Sequence, residues 1–158
     1  MTERFKTPIS VHLFVFESDR VLLLRRFNTG FEDGNYSVPA GCIDGNETLT
    51  NAIIREAKEE AGLILKPEWI KVTSVLHRKA SQNSWEMIAF FFTASCYEGE
   101  VKNCEPNKCD DLQFFPLSKL PDNLIPYVRK GLENTLQGVF FSEFGWGKDR
   151  QEKNEKTR

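Results

Sequence analysis

The chain has 158 residues and a formal net charge of −2, and this length suffices for one domain whose core buries about 70% of the surface that the unfolded chain exposes. The charge gives no basic footprint for long nucleic acid, and no apolar run approaches the ~20 residues that a membrane span needs. Residues 1–6 lack the apolar core of a signal peptide and the four cysteines form no CxxC pair, so we expect free thiols in a cytoplasmic protein.

Two strands open the predicted fold. Residues 9–16 and 20–26 have strand-like patterns and are joined across Ser18-Asp19. The second strand contains a continuous apolar run, which is typical of a strand covered on both faces. It ends in Arg25-Arg26, and the chain then becomes a loop that reaches Gly34.

A helix is predicted next, after the turn residues Asp44-Gly45-Asn46. Thr48 is in place to act as its N-cap, and Gly62 stands where a helix commonly ends in a left-handed cap. Four apolar residues at helical spacing predict a buried stripe. They are Leu49, Ala52, Ile53 and Ala57.

Three carboxylates lie on one face of this predicted helix. Glu56, Glu59 and Glu60 are three and four residues apart, so they project as a cluster. Close carboxylates repel one another, and ionising the second and third costs free energy unless a cation is present. Mg²⁺ prefers oxygen ligands and combines a few carboxylates with water and substrate phosphate. The cluster therefore indicates a metal and phosphate site, although from these residues alone a solvated Glu-rich face is the alternative.

Further strands follow the helix. Residues 69–76 predict one strand, and residues 87–96 predict a long apolar strand that we expect near the centre of the sheet. The polar segment 79–86 between them is expected to be a flexible loop near the site. Residues 112–117 predict a short strand.

The C-terminal part begins with an amphipathic helix predicted over residues 121–137. Residues 138–147 are rich in aromatic side chains and are expected to pack on the sheet or to pair with a second subunit, giving a monomer or a homodimer. Residues 148–158 are charged and are expected to be a disordered tail. Because no repeat or linker divides the chain, we expect one domain over residues 1–147, of the α/β (α+β) class.

The predicted helix and the loop before it resemble the signature box of the Nudix hydrolases, GX5EX7REUXEEXGU, in which U is aliphatic. All seven fixed positions match, and they are Gly41, Glu47, Arg55, Glu56, Glu59, Glu60 and Gly62. Leu63 fills one aliphatic position, and the small Ala57 fills the other weakly. A chance match at one window is on the order of 10⁻⁸.

The resemblance implies the Nudix fold, a mixed β-sheet sandwiched between helices. It also implies one metal-binding set for Mg²⁺, with Mn²⁺ as an alternative ion, formed by Gly41, Glu56, Glu59 and Glu60. In the family, Arg55 orients the carboxylates by pairing with them. Glu47 would support them through hydrogen bonds or a second metal shell.

MutT-like members of the family imply three further site residues outside the box. Arg26, the second arginine at its strand end, is a candidate substrate contact, with an ordinary surface arginine as the alternative. Glu105 matches the place of a metal-linked carboxylate or general base, and Asp110 and Asp111 compete with it. The carboxylate that helps to activate water is either Glu105 or one of the glutamates of the box. Asn123 is in place to bind the base, or simply to cap the last helix.

The resemblance implies hydrolysis of a nucleoside diphosphate linked to another group. Sequence marks of the NADH, ADP-ribose and dinucleoside polyphosphate branches are missing, and the segment His77-Arg78-Lys79 stands where ADP-ribose enzymes usually have Pro. We therefore expect a (deoxy)nucleoside triphosphate, including an oxidised form such as 8-oxo-dGTP, to be cleaved to the monophosphate and pyrophosphate. The alternatives are a nucleotide sugar or a capped RNA end as substrate, and a module that senses a nucleotide without cleaving it.

Overall fold

Within residues 2–147, which the computed structural model describes, the chain forms nine strands in two sheets and two α-helices. The strands are β1 Ile9–Phe14, β2 Phe16–Glu17, β3 Arg20–Arg26, β4 Tyr36–Ser37, β5 Ala40–Cys42, β6 Ile70–Arg78, β7 Met87–Ala94, β8 Cys109–Pro116 and β9 Phe141–Phe144. The helices are α1 Leu49–Ala61 and α2 Pro126–Gln137. The predicted charged tail, residues 148–158, lies outside the described residues.

The larger sheet is mixed and has the strand order β5-β1-β7-β6-β9. Strand β1 runs parallel to β7 and β6 runs parallel to β9, whereas the other neighbours are antiparallel. Strand β7 is the middle strand, as predicted for residues 87–96. A mixed sheet covered by helices also confirms the predicted α/β (α+β) class.

The smaller sheet is built around β3, which pairs antiparallel with β2, β4 and β8. Its apolar run is covered on both faces, because Val21 and Leu23 belong to the core under α2 whereas Leu22 belongs to the core under α1. The prediction of one continuous strand over residues 9–16 is wrong. The strand breaks after Phe14, and β2 turns back through Ser18, whose φ is +57°, to pair with β3 in the other sheet.

Helix α1 begins and ends where the sequence predicts. The Thr48 hydroxyl accepts a hydrogen bond from the Asn51 amide at 3.0 Å, and Gly62 ends the helix with a φ of +70°. Its buried face, which includes Ala52, Ile53 and Ala57, packs in the core that also holds residues of β1 and β3. This packing aims the opposite, acidic face of α1 away from the core.

Helix α2 begins five residues later than the predicted residue 121. Pro126 occupies the first turn, where its missing N–H costs no hydrogen bond. The preceding segment bonds to β4 instead, because the Tyr36 amide donates to Asn123 O at 2.9 Å and the Ile125 amide donates to Tyr36 O at 2.9 Å. Neither helix in the described part of the chain is long and apolar enough to cross a membrane.

The aromatic segment after α2 packs on the larger sheet, which is one of the two predicted outcomes. Strand β9 pairs with β6 in parallel register, from Val75 opposite Phe141 to Arg78 opposite Phe144. The Trp146 indole donates to His77 O at 3.0 Å, so the segment is tied to the end of β6.

Gly131 provides a test of how closely α2 packs on the larger sheet. A Cβ at this position would overlap the ring of Phe91 on β7. Gly131→Ala should therefore lower the free energy of unfolding by about 1–3 kcal/mol, although alanine favours a helix by up to about 1 kcal/mol. Urea denaturation measures the difference, with Glu133→Ala at an exposed position of α2 as the control. A variant at least as stable as the parent would contradict this packing.

Candidate functional site

A cavity of about 490 Å³ opens where the two sheets meet α1 and α2. Its walls come from β1, β3, β5, β7 and both helices, together with the loop before β8. Six of the residues predicted from the sequence lie along it. They are Arg26, Gly41, Glu56, Glu59, Glu60 and Glu105.

Strand β5 and helix α1 approach each other very closely at this cavity. A Cβ at Gly41 would overlap the carboxylate of Glu56, so a larger residue at this position would force the Glu56 side chain to move. One residue earlier, the Ala40 amide donates a hydrogen bond to Glu60 Oε2 at 3.1 Å. The backbone of β5 therefore lies directly against two carboxylates of the helix.

These two carboxylates are difficult to ionise together. Burial raises the pKa of Glu60 well above its ordinary value, and the negative charge of Glu56 raises it further. Burial is also the main cause that raises the pKa of Glu56, whereas the neighbouring Arg55 acts in the opposite direction. Partly buried like charges of this kind favour a bound proton or a bound cation.

Arg55 is the centre of an ion-pair network on α1. Its guanidinium donates to both carboxylate oxygens of Glu47, at 2.8 and 3.2 Å, and to Glu56 Oε1 at 2.9 Å. A longer contact of 3.3 Å joins it to Glu59 Oε2. The hydrogen bond to Glu47 is the main cause that raises the pKa of Arg55, and the same bond lowers the pKa of Glu47. Arg55, itself bonded to Glu47, thus fixes the positions of the Glu56 and Glu59 carboxylates, and neither Arg55 nor Glu47 lines the cavity.

The acidic side chains do not form a preassembled cation cage. Within residues 2–147, no three His, Cys, Asp or Glu side chains are close enough together for one ion. Charge repulsion and the pairing of Arg55 with Glu56 and Glu59 account for this spacing. The donor set nevertheless fits a hard divalent ion, because it offers only oxygen atoms and leaves buried negative charge uncompensated.

Arg26 lines the cavity, and its guanidinium also holds the loop that follows β3. Nε donates to Phe31 O at 2.6 Å, and Nη2 donates to the Thr29 hydroxyl at 3.0 Å. Asp33 closes the same loop by accepting bonds from the Thr29 and Gly30 amides at 2.8–3.0 Å. Arg26 is therefore held in position at the cavity wall by its own loop.

The three acidic candidates before and within β8 have different surroundings. Asp110 pairs with Arg25 at 2.7 Å, and Asp111 accepts a 2.5 Å bond from the Tyr36 hydroxyl. Glu105 alone among the three lines the cavity. A register shift between β3 and β8, next to Arg25, turns Asp110 outward.

Asn123 is not among the residues that line the cavity. Its side-chain amide donates to Gly34 O at 2.8 Å and so joins the segment before α2 to the loop after β3. It does not cap α2 either, since Ile125 holds the N-cap position and makes no side-chain capping bond.

Several lining residues have no counterpart in the sequence prediction. They are led by His12 of β1, Met87 of β7, Lys108 before β8 and Tyr127 of α2. His12 Nε2 and the Tyr127 hydroxyl lie 3.1 Å apart and are both buried. Burial, followed by the positive charge of Arg78, lowers the pKa of His12 to about 3, so its ring is neutral at physiological pH. The sequence signal that could have identified His12 as a site residue is its position as a polar residue within the apolar strand β1.

Glu60→Gln, in protein kept free of divalent ions, tests how far the ionised Glu60 carboxylate destabilises the fold. Because the folded state raises the pKa of Glu60, it binds the proton more tightly than the unfolded chain does. The stabilising contribution of this group is therefore complete at low pH and is lost as pH rises through the folded pKa. Glutamine carries no charge and still accepts the Ala40 bond, so the variant should melt a few degrees above the parent at pH 8.

The same difference in melting temperature should shrink towards pH 4, where the carboxyl group is largely protonated in both states. Glu133→Gln, on the exposed face of α2, is the matched control and should show no such pH dependence. A Glu60→Gln variant that melts below the parent at pH 8 would show that the carboxylate is stabilising instead.

Comparisons with known proteins agree with this geometry. A family profile described as the NUDIX domain matches residues 6–136. The chain is 29% identical over 113 residues to an ADP-ribose pyrophosphatase of Methanocaldococcus jannaschii, covering 72% of this chain and 64% of that protein. It is 32% identical over 114 residues to the 8-oxo-dGDP phosphatase NUDT18 of Homo sapiens, covering 71% of this chain but 33% of that protein.

Among solved structures, a MutT NUDIX hydrolase from Burkholderia pseudomallei superposes with a TM-score of 0.75 at 26% identity. The match covers 82% of this chain and 98% of that one. The profile spans most of the chain, and four residues of the signature box, Gly41, Glu56, Glu59 and Glu60, line one cavity. The chain therefore belongs to the Nudix hydrolase family, as a MutT-like member.

Proposed function

We propose that the chain is a Mg²⁺-dependent hydrolase, built as one domain over residues 1–147, that cleaves a (deoxy)nucleoside triphosphate to the monophosphate and pyrophosphate. The observation that carries this proposal is the pair of strained carboxylates, Glu56 and Glu60, in a cavity that also holds Arg26 and Lys108. Acidic and basic side chains in one cavity suit a cation and a phosphate chain together. The volume of about 490 Å³ lies in the range of small-molecule sites.

Glu56, Glu59 and Glu60 are the side chains that would hold the metal, with the backbone of Gly41 beside them. When bound, the ion neutralises phosphate oxygens and lowers the pKa of coordinated water. The raised pKa values of Glu56 and Glu60 support this assignment, because a cation would relieve the cost of ionising both groups. Mn²⁺, which also accepts carboxylate ligands, is the alternative ion.

The other residues bind, orient and move a proton. Arg55 positions the carboxylates through its bonds to Glu56 and Glu59 and does not touch substrate. Arg26 at the end of β3 and Lys108 just before β8 would donate to phosphate oxygens. Glu105 would accept the proton of the attacking water at a carboxylate oxygen, and its Oε2 lies 3.9 Å from Lys108 Nζ.

The relatives support two substrate classes. The name of the human relative, an 8-oxo-dGDP phosphatase, supports an oxidised guanine nucleotide such as 8-oxo-dGTP. The name of the archaeal relative favours ADP-ribose as a second candidate, which would be cleaved to AMP and ribose 5-phosphate. Both candidates contain a nucleoside diphosphate, so the same carboxylates would serve either reaction.

A turnover screen with product analysis tests the proposal. Purified protein with Mg²⁺ is incubated with canonical and 8-oxo nucleoside triphosphates, the corresponding diphosphates and ADP-ribose. We expect pyrophosphate and monophosphate from a triphosphate. Glu59→Gln should lower the turnover rate by roughly 10²-fold or more, because a ligand of the required cation is lost, while the far-ultraviolet spectrum stays unchanged.

Glu133→Gln is the matched control for this screen, because it makes the same substitution on the exposed face of α2. Its turnover should equal that of the parent. If ADP-ribose gave ribose 5-phosphate and no triphosphate gave pyrophosphate, ADP-ribose would replace the nucleoside triphosphates as the proposed substrate. Release of no product from the whole panel would overturn the hydrolase proposal.

Glu105 and Asp110 allow a direct comparison of two carboxylates in one segment. Glu105→Gln should lower the turnover rate roughly 10²-fold, because the proton acceptor is lost. Asp110→Asn should have a much smaller effect, since Asp110 pairs with Arg25 outside the cavity. If Asp110→Asn were the more damaging change, Glu105 would not be the base.

A further inference from the structure

Strand β9 is the outermost strand of the larger sheet, and one of its edges is open. Among the described residues β9 pairs only with β6. In that ladder the Val75 amide donates to Phe140 O at 2.7 Å. Because the backbone groups of successive residues alternate between the two sides of a strand, the N–H and C=O groups of Phe141 and Glu143 face the open edge.

The open edge lacks the features that usually prevent strands from pairing. Soluble proteins protect such edges with proline, charged side chains, bulges or a covering segment. Residues 138–147 contain no proline, lysine or arginine, and Glu143 is their one charged residue. An edge of this composition is able to accept a further strand.

Exposed apolar side chains surround this edge. Five of the nine large apolar side chains that are exposed in residues 2–147 lie within residues 136–146, and we call them the edge patch. They are Leu136, Val139, Phe140, Phe141 and Trp146. All but Leu136 lie beyond residues 6–136, the part of the chain that matches the NUDIX profile. Contiguous exposed apolar surface of this kind marks an interaction site.

The size of the edge patch fits a homodimer interface. Phe140 and Phe141 are 59% and 57% exposed, and Trp146 is 41% exposed. With roughly 150–250 Å² for each aromatic side chain, the exposed surface of the whole patch is on the order of 500 Å². A standard interface takes about 800 Å² from each partner, and about 65% of a homodimer interface is apolar. The patch therefore supplies about the apolar share of one such interface.

The edge is also complementary to itself about a two-fold axis. Antiparallel strands pair residues whose backbone groups both face the shared edge, so the central pair is Phe141 with Phe141, Phe141 with Glu143, or Glu143 with Glu143. Like charges directly opposite each other are destabilising, whereas aromatic cross-strand pairs are stabilising. The first pairing places two aromatic rings at the axis and keeps the two Glu143 carboxylates farthest apart.

We propose that the edge patch binds a second copy of this chain, with the two β9 strands antiparallel and Phe141 of each copy at the two-fold axis. The two larger sheets would then form one continuous sheet, and the same surface serves both copies, as a closed dimer requires. A second copy suits an apolar edge with a single charge better than a charged peptide does. The inference is independent of the proposed reaction, because no residue of β9 lines the cavity.

Sedimentation equilibrium of the full chain, without nucleotide, tests the proposal. The parent should be a dimer at micromolar concentration. Phe141→Lys should raise the dissociation constant roughly 30-fold or more, because an aromatic pair is lost and like charges face each other at the axis. Phe27→Lys, at a 47% exposed phenylalanine outside the edge patch, is the matched control and should leave the dissociation constant unchanged. A parent that is monomeric at every concentration would overturn the proposal.

A pair of opposite charges tests the register. Phe141→Lys and Phe141→Glu should each be monomeric where the parent is dimeric. An equimolar mixture of the two variants should form dimers again at low salt, because opposite charges then face each other at the axis. A mixture that remains monomeric would overturn the proposed pairing.

Thermal melting separates association from folding. The melting temperature of the parent should rise with protein concentration, because mass action favours the folded dimer, whereas that of Phe141→Lys should not. Should the charged variants fail to fold, Phe141→Thr keeps a residue that favours strands and should still raise the dissociation constant roughly 10-fold. A Phe141→Thr dimer as tight as that of the parent would overturn the proposal.

Discussion

The closeness of strand β5 to helix α1 is the constraint on which the site depends. A side chain at residue 41 would displace the Glu56 carboxylate, which lies where a Cβ would be. The same approach lets the Ala40 amide bond to Glu60. Two acidic groups are thereby held against a backbone and partly removed from water, at a cost that a cation would relieve. The glycine of β5 and the acidic face of α1 therefore form one structural unit.

The arginine of the box balances this arrangement from the solvent side. Arg55 bonds to Glu47, Glu56 and Glu59, so it limits the repulsion that burial of the acids creates. It does not neutralise Glu60, whose pKa is raised well above its ordinary value by burial. The helix therefore carries unfavourable electrostatic energy in the absence of an ion. Carboxylates with pKa values perturbed in this way are common at functional sites.

The three candidate site residues outside the signature box make different contacts in this chain. Arg26 lines the cavity, but two of its nitrogens bond to Phe31 and Thr29 and hold their loop. Asn123 bonds to Gly34 and lies outside the cavity lining. Glu105 lies in the loop before β8 and lines the cavity, whereas Asp110 lies within β8 and pairs with Arg25. These differences depend on the loop or strand that each residue contacts in the folded chain, and such tertiary contacts cannot be read from spacing along the sequence.

The sequence by itself determined the local part of this protein. Helix α1 and its caps depend on interactions within about four residues, which can be read from periodicity and capping residues in the sequence. The same spacing places its acidic residues on one face. Only the tertiary structure decided the break between β1 and β2, the late start of α2 and the contact of His12 with Tyr127, 115 residues apart. Contacts of that range arise from the packing of separate elements, where many residues could meet and the three-dimensional fold selects the few that do.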